Sequence, residues 1–319
     1  MLVPSVVLVH AVTASAAGRS LLCQYRPVPI MSATSFLNVA LPALPGGGRL
    51  EVIEGLEDAG EDEDEEALAD LLSVGGTVWP SAAALCRWMC DHATCVRGAN
   101  VLELGCGTGV CGLFAAALGA KHTVLTDGSR RLLALSMANR EANMLRGNLP
   151  GLGTSVTVDT AHYLWNHSPL PTVSDGGGSG GGSGGGSGGG SDGSAAWDLV
   201  IASDVTYAFD AVALHDLAAT FAALLAQTPA PPRIVLAHQH RHRLQGDGRP
   251  VTSENLYDRD EPLRNLQEAL TRDHGLTLEL LHAGHRPTDE PYRKDEHISI
   301  IEVTPMAATP PPPEDGGGV

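Results

Sequence analysis

The heptapeptide Glu103-Leu104-Gly105-Cys106-Gly107-Thr108-Gly109 sets one acid and three alternating glycines between two apolar stretches, Asn100 to Leu104 and Val110 to Leu118. Glycines at a strand-to-helix junction let a ligand approach the backbone closely, and the amides that open the helix carry the positive end of its dipole. Eighteen residues past Gly109, Asp127 closes the next apolar run, where a carboxylate can bind both hydroxyls of a ribose. A glycine-rich turn followed by a strand-end acid is the chemistry of a nucleoside ligand. Gly107-Thr108-Gly109-Val110-Cys111-Gly112 also matches the G-x-G-x-x-G spacing of dinucleotide sites. Glu103 favours a different ligand, because a carboxylate there suits an ammonium group, which NAD lacks, and repels a pyrophosphate. A second acid, Asp204, follows the apolar run Trp197 to Ser203 and precedes Tyr207 by three residues.

These residues need strands that end at one edge. Strands are expected at Asn100 to Leu104, His122 to Asp127, Ser155 to Val158, Trp197 to Ser203 and Arg233 to Ala237. Helical spacing is expected over Ser81 to His92, Val110 to Leu118, Arg130 to Arg146, Ala211 to Gln227 and Pro262 to Arg272. Strands alternating with helices of ten to fifteen residues imply an α/β fold, a Rossmann-like, doubly wound and mostly parallel sheet covered on both faces. Two more strands, Leu276 to Leu281 and His297 to Val303, are joined by a short polar loop, which requires an antiparallel edge and brings the count to seven. Ahead of the domain, Phe36 to Leu41, a Pro/Gly turn at Pro45 to Gly48 and Leu50 to Ile53 read as a β-hairpin.

The register Glu-x-Gly-x-Gly-x-Gly at Glu103 resembles motif I of the class I S-adenosylmethionine-dependent methyltransferases. Further matches narrow the resemblance to their protein-lysine methyltransferase branch. Thr77-Val78-Trp79-Pro80 is similar to that branch's Trp-containing segment before a helix, which implies a contact of Trp79 with the cofactor. Asn139 and Asn143 resemble its asparagine-bearing helix after the ribose acid. Leu164-Trp165-Asn166 resembles its Leu-x-Trp turn, in which Trp165 would be an adenine platform. Ser203-Asp204-Val205-Thr206-Tyr207 resembles its Asp-x-x-Tyr signature. The resemblance implies S-adenosylmethionine as cofactor, with Trp79, Glu103, Gly105, Gly107, Gly109, Asp127, Trp165 and Asp204 binding it. It also implies Asp204 and Tyr207 as the catalytic pair, and a lysine of a protein substrate as methyl acceptor. The alternatives are a methyltransferase for a small molecule or another atom, an NAD-dependent oxidoreductase, or a binding module without turnover.

Cys86, Cys90, His92 and Cys95 lack a Cys-x-x-Cys pair and read as small buried side chains. His238, His240 and His242 alternate and would share one side of a strand, as metal ligands do. Their setting instead resembles the polar, arginine-bearing end of strand five in the same branch, so no metal is expected.

The formal charge is −17, but eleven of the acids lie between Glu51 and Asp70, and without them the balance is −6. No basic stripe accompanies them, which excludes a binder that relies on neutralising nucleic-acid phosphates. With 43% apolar residues a sizeable core is available, while no apolar run reaches the ~18 residues of a membrane span. Six cysteines, unevenly grouped with Cys23 alone and the rest between Cys86 and Cys111, suggest reduced thiols and a cytoplasmic location. Residues 1–33 contain no Asp or Glu and read as a leader or disordered N-terminus; a transit role would make the location organellar, and Met31 is an alternative start. The methyltransferase domain is expected over 34–305, interrupted by a solvated acidic loop at 57–66 and a flexible Gly/Ser insertion at 172–196. A Pro/Gly tail occupies 306–319.

Overall fold

The computed structural model describes residues 41–44, 47–54, 74–173, 196–206, 211–227, 230–240, 251–258, 260–285 and 297–306. The leader, the acidic loop, most of the Gly/Ser insertion, the tail after Met306, Tyr207 and His242 lie outside the described residues.

Seven strands form one sheet in the order β3-β2-β1-β4-β5-β7-β6. They are β1 Asn100–Leu104, β2 His122–Asp127, β3 Thr157–His162, β4 Leu199–Ser203, β5 Arg233–His240, β6 Leu276–His285 and β7 His297–Pro305. The first five pair in parallel, whereas β7 is antiparallel to both β5 and β6. The reversed strand therefore lies one place inside the edge, between β5 and β6.

The helices are α1 Pro80–Asp91, α2 Val110–Ala117, α3 Arg130–Leu145, α4 Ala211–Leu225 and α5 Glu261–Ala269. Alternate strand residues feed the two faces. Val101, Leu125, Ile201 and Val235 pack with Leu85, Met89 and Phe114 of α1 and α2. Leu102, Val124, Val200 and Leu236 pack with Leu217 and Phe221 of α4 and with Leu263 of α5. Both faces of these strands are covered, which is why β4 reads as an apolar run and β1 as one broken only by Glu103 after Asn100. Among the described residues no helix is long and apolar enough to cross a membrane.

Two expectations need correction. The strand expected at Ser155 to Val158 begins instead at Thr157 and runs to His162. Amides of Thr154, Ser155 and Val156 all turn back onto the Gly151 carbonyl, so the chain is still turning there, and the strand proper is an edge strand with polar residues that hide its pattern. The second arm of the expected hairpin, Leu50 to Ile53, is extended but in no sheet; the first arm falls mostly outside the described residues. Its partners are side chains of α3. Asn143 accepts from Glu51 N at 2.9 Å and donates to Glu51 O at 2.7 Å, while Asn139 accepts from Ile53 N at 2.6 Å and donates to Ile53 O at 3.2 Å. Carboxamides four residues apart on a helix thus take the place of a neighbouring strand for residues two apart in an extended chain.

Candidate functional site

Strand order reverses between β1 and β4, and a crevice at the carboxyl ends of the strands is where α/β sheets bind ligands. A cavity of about 340 Å³ opens there, reached by β1, β2 and β4, the turn after β3, the start of α1 and one side of α4. Of the expected site residues within the described part of the chain, Trp79, Glu103, Gly105, Gly107, Asp127, Trp165 and Asp204 line it. Gly109 does not; it is the N-cap of α2 at φ 77°, and a Cβ on it would meet Cβ of Ser136 at 2.7 Å.

Local chemistry sets each side chain. Trp79 caps α1 just before Pro80, a residue suited to the first helical position, and its indole N–H donates to Val74 O at 2.9 Å. Only the ring is left to face a ligand. Asp127 accepts from Gly107 N at 3.0 Å and from Ser129 N at 2.8 Å, so the acid at the end of β2 also holds the glycine loop. Asn139 adds a bond from the far side, donating to Thr108 O at 2.9 Å. Gly105 sits at φ 63°, and a Cβ on it would meet Val205 at 2.8 Å, so this glycine lets the loop after β4 pack against the turn after β1. The turn carrying Trp165 is fixed to α4: Asn166 N donates to Thr220 Oγ1 at 3.0 Å and Asn166 Nδ2 to Asp216 at 3.1 Å.

Asp204 is 5% exposed and sits in the left-handed region at φ 58°, a conformation costing a non-glycine residue about 1 kcal/mol that Asp tolerates best. Its N–H donates to Ala237 O at 2.8 Å on β5.

Glu103 is buried, with Oε2 accepting from Gly112 N at 2.8 Å. Burial pushes its carboxyl up from 4.5 to about 8, and the nearby charge of Asp127 adds to this against the Gly112 bond. Burial raises Asp127 too, opposed by its backbone bonds. A site with two acids whose ionisation is resisted by burial favours a ligand bringing positive charge. It disfavours a pyrophosphate. The third glycine of the dinucleotide-like spacing, Gly112, has a packing reason, since a Cβ there would meet Leu125 at 2.2 Å and Glu103 at 2.6 Å. Burial holds the Cys106 thiol well above its usual range, and a bond from Cys86 together with burial does the same for Cys111, so neither supplies a thiolate nucleophile.

Sequence reasoning missed Tyr163, His167 and Asp216, which also line the cavity. Tyr163 and Asp216 are placed by β3 and α4, and no local motif marks them. Of the cysteine group, Cys86 is buried, Cys90 and Cys95 are partly so, and His92 stacks on Trp88 with ring centroids 4.5 Å apart. His238 and His240 do share one side of β5, where both meet Asp260.

Residues 64–167 match the family model described as lysine methyltransferase. Protein N-lysine methyltransferase METTL21A of Xenopus tropicalis is 37% identical over 70 residues, 22% of this chain and 32% of that protein. The calmodulin-lysine N-methyltransferase of Arabidopsis thaliana is 30% identical over 130 residues, 40% of this chain and 34% of its own length. The human histone-arginine methyltransferase METTL23 is 32% identical over 94 residues, covering 30% and 47%. The chain spans about a third of the length of the first two of these relatives. The matched segment, about a third of the chain, contains Trp79, the glycine loop, Asp127 and Trp165, and over it this chain is similar to the lysine methyltransferase family.

Proposed function

We propose that this chain is an S-adenosylmethionine-dependent methyltransferase that modifies a lysine side chain of a protein substrate. The observation that carries this reading is one cavity at the sheet's switch point that gathers Glu103, Asp127, Trp165 and Asp204 from the ends of four strands. The family match over 64–167 supports it, and the relatives named for protein-lysine methylation support the acceptor class.

The donor set fits the cofactor. Asp127 takes the ribose hydroxyls, Glu103 faces the methionine ammonium, and Trp165 offers a flat surface to the adenine. The Trp79 ring closes the same pocket. When bound, the cofactor supplies a methyl group on a sulfonium sulfur. The chain's own work is then alignment and exclusion of water. Asp204 attracts the acceptor ammonium, whose pKa of ~10.4 means that a proton must leave before the nitrogen can attack. With the proton released to solvent, Asp204 and Tyr207 orient the neutral amine. No covalent intermediate on the chain is needed.

The test is transfer of radiolabelled methyl groups to a lysate, followed by digestion of the labelled protein to find the modified residue, with Asp204→Asn in parallel. The amide keeps shape but loses charge, so turnover should fall about 10²-fold, equivalent to roughly 2.7 kcal/mol, while calorimetric affinity for S-adenosylmethionine falls less. Label on arginine or only in small molecules would overturn the lysine assignment, and binding of NAD in preference to the adenosyl ligands would overturn the cofactor.

A further inference from the structure

A buried polar chain runs beneath the loop that follows β4. Thr206 Oγ1 bonds His238 Nδ1; His238 Nε2 lies 2.7 Å from Asp260 Oδ2; His240 Nδ1 reaches the same oxygen at 2.7 Å; and His240 Nε2 lies 2.8 Å from Ser299 Oγ. The three central side chains are 3%, 1% and 0% exposed. Asp260 Oδ1 accepts from Leu263 N at 3.1 Å as the N-cap of α5, so the whole acid is committed. Although burial raises its pKa, the bonds from His238 and His240 hold the Asp260 carboxyl well below the usual carboxylate range.

A carboxylate can only accept, so both imidazoles must donate to Asp260. That leaves His238 Nδ1 and His240 Nε2 as acceptors for Thr206 and Ser299, if each ring carries one proton. Direction is therefore set from the carboxylate outward, and the last link ends on a residue between Asp204 and Tyr207. Thr206 is itself 1% exposed.

We infer that Asp260, acting through His238 and Thr206, positions the Asp204 loop for the reaction. The inference rests on the proposed function and assigns Asp260, His238 and Thr206 as positioning residues, none of them touching the acceptor. Two bonds to β5 then hold the loop: Asp204 N to Ala237 O, and Thr206 to the adjacent His238 ring. Two anchors are needed because Asp204 holds a left-handed conformation that would relax if the loop were free. A displacement of about 1 Å at a reacting centre can cost on the order of 10²-fold in rate.

The same three residues could serve as metal ligands, since their donor atoms lie within 4.8 Å of one another. The spacing favours the bonded network. Two ligands at ~2.0–2.1 Å from one ion in tetrahedral geometry stand roughly 3.3 Å apart, well beyond the observed 2.7 Å.

Thr206→Val keeps the shape and removes the bond, and Thr206→Ser restores the hydroxyl. With valine, kcat should fall about tenfold while the affinity for S-adenosylmethionine stays within about twofold, and serine should recover most of the rate. Amide exchange of a peptide spanning 203–207 should quicken in Thr206→Val but not in Thr206→Ser. It should quicken in Asp260→Ala as well, because without the acid neither imidazole keeps its buried acceptor and the His238 ring that Thr206 meets is no longer held. The exchange measurement needs no substrate, so an absence of methyl transfer by the wild type would sink the proposed function and leave this test standing. Exchange and turnover in Thr206→Val equal to wild type would overturn the inference. So would one equivalent of zinc copurifying with the wild-type protein and lost in Asp260→Ala.

Discussion

Raising the pH from 5 to 8 should weaken the wild-type fold relative to Glu103→Gln. Glu103 is 2% exposed, and its carboxyl is displaced upward to about 8 from 4.5 in the unfolded chain, chiefly by burial. A folded-state value above the unfolded one means that the contribution of this group is fully present below pH ~4.5. It drains away as the pH rises towards 8, because the unfolded chain releases its proton first. At about 1.4 kcal/mol per pH unit the full loss is on the order of 5 kcal/mol, a large part of the 5–15 kcal/mol that holds a typical domain together. Glutamine keeps an oxygen to accept from Gly112 N but cannot ionise. Urea unfolding at pH 5, 6, 7 and 8 should therefore show the two proteins converging at the acid end. By pH 8 the variant should gain several kcal/mol on the wild type. The same shift predicts that a ligand bringing an ammonium group to Glu103 drives off a proton. Calorimetry of S-adenosylmethionine binding at pH 7 in phosphate and in Tris should differ by the ionisation enthalpy of close to one proton. Parallel stability profiles and buffer-independent binding heats would refute the reasoning.

Other perturbations test the scaffold. Gly109→Ala forces alanine into the left-handed region, at about 1–2 kcal/mol, and adds a Cβ 2.7 Å from Ser136 Cβ, so urea unfolding should show a loss of at least about 2 kcal/mol. Asn143→Ala leaves Glu51 N and O without their partner and should cost about 1–3 kcal/mol, with faster amide exchange at Glu51. The flanks of the Gly/Ser insertion are tied together where Trp197 Nε1 donates to Pro171 O at 2.9 Å, and Val173 and Trp197 are buried. Replacing residues 176–193 with a short turn should accordingly leave the melting temperature and cofactor affinity nearly unchanged; a large loss of either would show a role that the composition conceals.

Much of the frame was legible in local order. The strands β1, β2 and β4 read directly, because burial on both faces concentrates Val, Leu and Ile in short runs even where a polar residue interrupts them. The glycine loop and Asp127 were legible for a related reason. Close backbone approach demands glycine, and an acid at the end of the next strand stands one helix and one strand further on. The edge strand β3 was misplaced because its residues are polar, and β5 was cut short at Ala237 because His238, Gln239 and His240 are not apolar although all three are buried.

Periodicity and spacing along the chain already carry the succession of strands and helices and the residue types that meet at the carboxyl edge. Which side chains answer one another across distance follows from the folded packing alone. Asn139 and Asn143 looked like a family signature, yet their physical task is to pair with the backbone of Glu51 and Ile53, some ninety residues away. His238 and His240 alternated along a strand with no visible partner, and Asp260 meets them only because α5 returns its N-cap to the end of β5. The upward shift at Glu103 likewise belongs to the fold, because desolvation depends on what packs around a carboxylate and not on its neighbours along the chain.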